Sequence, residues 1–185
     1  KDVDDLLAAD RAHVWHPYST IGAEALPNAP ARNELNDVPD ERGGGATRNA
    51  LAIYDLPRHR LIHHLLPRVP LRTSSLRGLG AWANVYAIES FMDELAETAG
   101  EDPVSYRLSL LSDPRARRVV ETAAQMSGWF ERRDLGDGKG RGFGFARYKN
   151  TGAYCAAIAE IEGAEDIKVR KLTLAVDVGE AINPD

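Results

Sequence analysis

The chain has 185 residues, and its 28 acidic residues outnumber its 23 lysines and arginines to give a formal net charge of −5. This balance argues against a generally basic nucleic-acid-binding protein, although it allows a local basic patch. A hydrophobic fraction of 43% with 28% charged residues is typical of a globular protein and excludes a largely disordered one. The single cysteine, Cys155, excludes an internal disulfide and any multi-cysteine metal site.

No apolar run approaches the length that spans a bilayer, and the residues near Lys1 lack the pattern of a signal peptide. We therefore expect no membrane partner and a cytoplasmic location, with a periplasmic one left open. The chain starts without Met and stops directly after a strand-like run, so we expect it to be a piece of a longer protein.

The N-terminal quarter of the chain carries weak structural signals. Residues 2–11 predict a helix of barely two turns, and residues 22–49 show neither a strand nor a helix period. We expect residues 1–42 to form an irregular N-terminal extension or linker and residues 43–185 to form the domain. Residues 51–56 and 60–66 are short apolar runs bounded by prolines, and they predict irregular strands.

The middle of the chain predicts three helices. Apolar residues recur at three- and four-residue steps from Val85 to Ala99, and Gly100 ends that helix. The pairs Asp102-Pro103 and Asp113-Pro114 each combine an N-cap residue with proline at the first helical position. The third helix ends at Gly128, and its predicted inward-facing residues are Val119, Ala123 and Met126.

The C-terminal part predicts strands. A glycine-rich loop runs into a strand at residues 143–148, residues 153–162 are ambiguous between helix and strand, and residues 167–178 alternate as a strand does. The alternation slips once, which predicts a β-bulge near Arg170-Lys171. Together these signals predict an α+β fold in which a three-helix segment packs on a mostly antiparallel sheet.

The sequence Arg77-Gly78-Leu79-Gly80 precedes the first predicted helix and is the strongest candidate for a binding site. Glycines let a backbone approach a ligand closely, the N–H groups of a helix start bind anions, and Arg77 adds a forked donor. These four residues therefore suggest an oxyanion or phosphate cradle. On these residues alone, an ordinary glycine-rich helix entry with a surface arginine is the favoured alternative.

Two other candidate chemistries are weaker. His59 and His63 are four residues apart, but the prolines around them argue against a helical metal pair. The same interpretation, a histidine that binds no metal, is favoured for His13, His16 and His64. Cys155 lies among apolar residues that raise a thiol pKa, which indicates an inert cysteine and not a nucleophile.

Residues 141–148 match the aromatic strand motif of RNA-recognition modules at all but one position, where Ala146 replaces valine. Phe143, Phe145 and Tyr148 could then stack on bases of a single-stranded RNA. The negative net charge and the missing partner strand upstream argue against this alternative and favour an aromatic core strand. A helix at residues 153–161 would support the RNA module, whereas a strand there would not.

From residue 43 onward the chain resembles part of the molybdopterin-binding large subunit of the xanthine dehydrogenase/aldehyde oxidase family, closest in type to isoquinoline 1-oxidoreductase and nicotinate dehydrogenase beta subunits. The resemblance covers about three quarters of the chain in the expected order and is specific only as a set. It is carried by GGGATRNA at residues 43–50, PLRTSSLRGLG at 70–80, NVYAIESFMDELA at 84–96, Asp102-Pro103, Arg107-Leu108, DPR at 113–115, ARYKN at 146–150 and DVGEAINP at 177–184.

The resemblance implies oxidative hydroxylation of aldehydes or N-heterocycles, with electrons passing from molybdenum to iron–sulfur clusters on a partner small subunit. It implies that Arg77, Gly78, Leu79 and Gly80 face the molybdopterin cofactor and the substrate. Xanthine-type members place an aromatic ring where Leu79 stands, so this chain departs from their substrate stacking. A second cofactor loop and the catalytic glutamate belong beyond Asp185, and Glu180 does not match that glutamate. We therefore expect no catalytic residue and no protein metal ligand in this chain, which alone would be inactive.

Residues 10–18 instead resemble the N-terminus of biotin-pathway class III aminotransferases. No lysine-bearing pyridoxal-phosphate site accompanies them, so we interpret them as a mismatched leader. A recombined chain without any ligand stays open as a third alternative beside the molybdenum hydroxylase fragment and the RNA module.

Overall fold

The computed structural model describes residues 47–58, 60–62, 77–131 and 135–183. The predicted N-terminal helix, the extension at residues 1–42, the aminotransferase-like stretch and all five histidines lie outside the described residues. None of the helices in the described part combines the length and apolar character that a membrane span requires.

Three helices form where the sequence predicts them. They are α1 at Leu79–Ala99, α2 at Pro103–Ser109 and α3 at Pro114–Ser127. The carboxylates of Asp102 and Asp113 each accept two backbone N–H groups of the first turn, with proline at the first helical position, as predicted. Gly100 and Gly128 end α1 and α3 in the left-handed conformation, where glycine carries no steric cost.

The sheet has three antiparallel strands in the order β1-β2-β3, which are Lys139–Arg147, Tyr154–Glu162 and Lys168–Asp177. The ambiguous segment is therefore a strand, because β1 and β3 pair with it on both sides. The predicted bulge is confirmed: Glu160 pairs with Lys171 and Ile161 with Val169, which leaves Arg170 as the extra residue. The α+β fold predicted from the sequence is confirmed.

The core lies between the helices and one face of the sheet. Helix α3 packs on β2 and β3, while α1 lies beside β1. The sheet residues that alternate toward the helices are buried, among them Phe143, Phe145, Ala156 and Ile158. From the helices, Met92 and Val104 join a stripe of small and β-branched residues on α3, namely Ala116, Val119, Val120, Ala123 and Ala124.

Two local predictions are wrong. Residues 51–56 form bends and no strand, because their polar groups bond to the helices: the Asp55 N–H donates to the carbonyl of Leu110 at 2.8 Å. Met126 is 60% exposed and does not face inward. It lies at the margin of the buried stripe of α3, beside an open groove along β3. Of the predicted strand at residues 60–66, only 60–62 are described, and they are irregular.

Candidate functional site

The four residues predicted to form a cradle stand at the start of α1. Gly78 occupies the N-cap position with φ of 80°, and Leu79 follows with φ of 52°. A Cβ added to Gly78 would lie 3.0 Å from the Cβ of Trp82, so both the backbone angle and the space favour glycine there. Arg77, Gly78 and Leu79 are exposed, and Gly80 is half-buried. The loop therefore presents its backbone to the outside of the described fold.

The first turn of α1 has the chemistry of an anion-binding site. Gly78 offers no side chain as a cap, and no acidic residue stands in the first turn. The backbone N–H groups of a helix start and its positive dipole end both favour an anionic partner. In this respect α1 differs from α2 and α3, whose first turns are capped by aspartates.

A second segment docks against the turn that follows β1. The side-chain amide of Asn49 donates to the carbonyl of Arg147 at 2.8 Å, and its oxygen accepts the backbone N–H of Lys149 at 2.8 Å. The amide of Asn150 donates to the carbonyl of Leu51 at 2.8 Å. These reciprocal bonds hold the segment around Asn49 to the turn at Tyr148–Asn150.

The same segment is tied to α1. The amide of Asn84, in the second turn of α1, donates to the carbonyl of Arg48 at 2.9 Å. The Arg48 guanidinium donates to the hydroxyl of Tyr148 at 3.0 Å and lies over its ring. Three stretches that are distant in sequence thus meet beside the predicted cradle. We call residues 47–51, 77–84 and 146–152 the site segments.

The site segments are basic although the chain as a whole is acidic. They contain no aspartate or glutamate, and their four cations are Arg48, Arg77, Arg147 and Lys149. Arg147 pairs with Asp113 of α3 at 3.0 Å, and the Lys149 ammonium lies 5.7 Å from the centroid of the Tyr148 ring. A local excess of positive charge attracts an anionic ligand.

Backbone strain is concentrated in the same place. Among the described residues, the non-glycine residues with positive φ are Asn49, Leu79, Lys149 and Asn150, and all of them lie in the site segments. Asparagine tolerates this conformation, but leucine and lysine do so at a steric cost. Such residues cluster at functional sites, because the surrounding structure has to hold them there.

A buried polar network lies beneath the site segments. Glu89 of α1 accepts the hydroxyl of Tyr54 at 2.7 Å, the guanidinium of Arg107 at 3.0 Å and the backbone N–H of Phe145 at 3.0 Å. Burial raises the pKa of Glu89, and burial followed by the Glu89 charge raises the pKa of Tyr54. The network fixes α1 and α2 against the edge of β1 and faces no solvent, so we assign it to the scaffold of the site.

Sequence reasoning did not assign roles to Asn49, Asn84 or Glu89, although all three stand in the motifs that carry the family resemblance. A signal was present for Asn49, since asparagine next to a glycine-rich run is typical of left-handed backbone. No local signal pointed to Glu89, whose partners are 18, 35 and 56 residues away.

The RNA-binding alternative loses its stacking platform in the structure. Phe143 and Phe145 are 7% and 3% exposed and face the helices, so they cannot stack on bases. Of the three proposed aromatics only Tyr148 is exposed. The segment behind them is strand β2, and not the helix that an RNA-recognition module requires.

Cys155 is half-buried on β2, and burial raises its thiol pKa, as expected for an inert cysteine. The described residues contain no cluster of histidine, cysteine, aspartate or glutamate that could hold a metal ion. The histidine interpretations stay untested, because those residues lie outside the described ones.

No protein-family model matches the chain. The chain is similar to the second of the nicotinate dehydrogenase subunits of Pseudomonas putida, with 35% identity over 155 residues that cover 75% of this chain and 13% of that protein. It is also similar to the beta subunit of isoquinoline 1-oxidoreductase from Brevundimonas diminuta, with 35% identity over 140 residues that cover 73% of this chain and 18% of that protein.

The chain thus spans less than a fifth of the length of either relative. Both relatives are named as subunits of oxidoreductases, and neither is named as an aminotransferase, so the resemblance of residues 10–18 gains no support. The two relatives support the molybdenum hydroxylase family as the family of this chain.

Proposed function

We propose that this chain is part of the large subunit of a molybdenum-dependent oxidoreductase and that it helps to bind the molybdopterin cofactor. The observation that carries the proposal is the 35% identity, over three quarters of the chain, to two subunits of named oxidoreductases. The proposed domain is residues 43–185, with residues 1–42 as an extension that contributes nothing to the cofactor site.

The residues at the start of α1 fit such a cofactor. Molybdopterin is an anionic, phosphate-bearing pterin, and the uncapped first turn of α1 offers backbone N–H donors in an acid-free, basic region. Gly78 allows close backbone approach at the point where a Cβ would strike Trp82. We assign cofactor contact to Arg77 and to the backbone of Gly78, Leu79 and Gly80.

The chemistry is divided between the cofactor and the chain. When bound, the cofactor supplies the redox centre for hydroxylation of a carbon atom. The chain's own residues orient an anionic group at α1 and hold that helix against the sheet through Glu89 and Arg107. No residue in the described part is placed as a general base, so we expect the isolated chain to be catalytically inert.

The substrate class we propose is an aldehyde or an N-heterocycle. The two relatives are named for nicotinate and isoquinoline, which are both N-heterocycles. Leu79 cannot stack on an aromatic ring, so a heteroaromatic substrate would need its stacking partner elsewhere. As partners we propose the remainder of the large subunit and an iron–sulfur small subunit, since both relatives are named as subunits.

The test is cofactor retention by the purified chain. Molybdopterin would be added anaerobically, free cofactor removed by gel filtration, and retained pterin measured by its fluorescence after oxidation. We expect the chain to retain the pterin and Arg77→Ala to weaken retention at least about tenfold, as loss of a charge-assisted contact does.

The matched control is Arg170→Ala, which removes an exposed arginine on β3, far in sequence from the site segments. Its retention should equal that of the unaltered chain. No retention by the unaltered chain, or equal losses in both variants, would contradict the proposal. Turnover of an aldehyde or N-heterocycle by the chain alone would contradict its expected inactivity.

A further inference from the structure

The face of the sheet that points away from the helices consists only of apolar residues. Register places alternate residues of all three strands on this face, four from each strand. We call it the open sheet face: it comprises Gly140, Gly142, Gly144 and Ala146 of β1, Cys155, Ala157, Ala159 and Ile161 of β2, and Val169, Leu172, Leu174 and Val176 of β3. None of these residues is charged, and none is buried in the described fold.

The open sheet face is graded in height from one edge to the other. Its cross-strand rows read Gly142–Ala159–Leu172, then Gly144–Ala157–Leu174, then Ala146–Cys155–Val176. A Cβ added at Gly142 or Gly144 would meet no atom within 4 Å. The face is therefore a trough of glycine and alanine along β1 and β2, flanked by a ridge of leucine and valine along β3.

The ridge is exposed although it is the most apolar part of the chain's surface. Leu172, Leu174 and Val176 are 57%, 48% and 56% exposed. On the same strand, Thr173 and Ala175 face the helices and are 7% exposed. A contiguous apolar patch on this scale marks an interaction surface.

We propose that the open sheet face binds the same face of a second copy of this chain. A two-fold axis parallel to the strands lays the β3 ridge of each copy into the β1 trough of the other and brings the two β2 strands together at alanines. Such an interface must be self-complementary, and a ridge beside a trough meets that requirement. Because the face carries no charge, the symmetry brings no like charges together there.

The size of the face sets the strength of this contact. Three strands about 4.8 Å apart, with about nine residues each at about 3.3 Å per residue, cover roughly 400 Å² per copy. The pair would bury roughly 800 to 1,000 Å², which is the lower end of specific interfaces. We therefore expect a weak dimer whose population depends on concentration, and not an obligate one.

The test is sedimentation velocity of the chain over a concentration series from about 1 to several hundred micromolar, a range that spans weak association. The unaltered chain should shift from monomer to dimer as concentration rises. Gly142→Val should abolish the shift because its side chain fills the trough. This change leaves the monomer intact, since the added atoms meet open space and valine favours a strand. Leu174→Glu should also abolish the shift by placing a charge on the ridge.

Two controls separate this face from other exposed apolar residues. Phe91→Glu alters α1, and Met126→Glu alters the groove between α3 and the outer edge of β3, and both side chains are more than half exposed. Neither change should alter the dimer. Circular dichroism would establish that each variant is folded.

Three results would overturn the proposal. The first is a monomer at all concentrations, which would leave the face to some other polypeptide layer. The second is dimerisation that Met126→Glu removes, which would place the contact at the edge of β3. The third is a dimer that persists in both Gly142→Val and Leu174→Glu.

Discussion

At the scale of single residues, the site segments hold backbone conformations that their side chains oppose. Lys149 sits at φ of 57° and ψ of 15° between Tyr148 and Asn150, inside the turn that Asn49 braces. The hydrogen bonds of Asn49 and Asn150 compensate this strain, so the turn keeps its shape without a glycine at that position.

The strain at Lys149 predicts an inversion of the usual order of glycine and alanine. In the left-handed region glycine avoids a steric cost of about 1 kcal/mol that alanine incurs. We expect Lys149→Gly to be more stable to urea than Lys149→Ala by about that amount. At Glu97, exposed within α1, the order should reverse, with glycine less stable than alanine by about 1 kcal/mol. The same order at both positions would contradict the strain.

A second residue-scale prediction concerns Glu89, whose carboxylate holds three donors in the interior. Glu89→Gln removes the charge that neutralises the fully buried Arg107, and breaking a buried pair costs about 3 kcal/mol. We expect urea unfolding to show a loss of that size. The matched change Asp93→Asn removes the second partner of Arg107, which is half exposed.

Because exposed pairs contribute little, Asp93→Asn should cost less than about 1 kcal/mol. Equal losses in Glu89→Gln and Asp93→Asn would mean that the buried carboxylate has no special role in holding α1 to β1.

At the scale of helices and strands, what the sequence could predict depends on how local the signal was. The two Asp-Pro pairs specify helix starts within four residues, and both starts are where the sequence places them. Strand β2 could not be distinguished from a helix, since its pairing partners lie on separate strands before and after it. Met126 could not be placed, because the edge of β3 decides where the buried stripe of α3 ends.

Asp102 links a local cap to a contact between elements. One carboxylate oxygen accepts the N–H groups of Val104 and Ser105, and the other accepts the indole N–H of Trp129 at 2.8 Å. Asparagine keeps an oxygen for the cap but has no acceptor for the indole, whereas alanine loses both. We expect Asp102→Asn to cost about 1 kcal/mol and Asp102→Ala about 2 kcal/mol in urea unfolding.

The fluorescence of Trp129 provides a second readout of the same pair of variants. Its emission should change equally in Asp102→Asn and Asp102→Ala, since both lose the bond to the indole. Equal stability of the two variants would show that the cap contributes nothing beyond that bond.

At the scale of the whole molecule, two acid–base links join α3 to one end of the sheet. Arg115 makes a two-pronged contact with Asp177 at the end of β3, and Asp113 accepts from Arg147 of β1 and the hydroxyl of Tyr154 of β2. The sequence marked Asp113 as a cap but could not show that it also bridges two strands. The same holds for the site segments, whose meeting depends on contacts across 36 to 101 residues.

These two aspartates predict how the fold responds to acid. The hydrogen bonds from Arg115 and Gly179 lower the pKa of Asp177 from 3.8 to about 2. Partial burial alone would raise the pKa of Asp113, but bonds from Tyr154 and the helix N–H groups, with the Arg147 charge, hold it below its usual value. A lowered pKa in the folded state stabilises the fold above the unfolded pKa.

That contribution is lost as pH falls through the folded pKa. The advantage of the unaltered chain over Asp177→Asn in urea unfolding should therefore be constant above about pH 5 and vanish near about pH 2. In an Arg115→Gln background, Asp177→Asn should have little effect at any pH, because the partner is already gone. The advantage should also shrink in high salt, since the pair is exposed. A difference that is independent of pH, or that survives in the Arg115→Gln background, would mean that Asp177 acts through some contact other than its arginine.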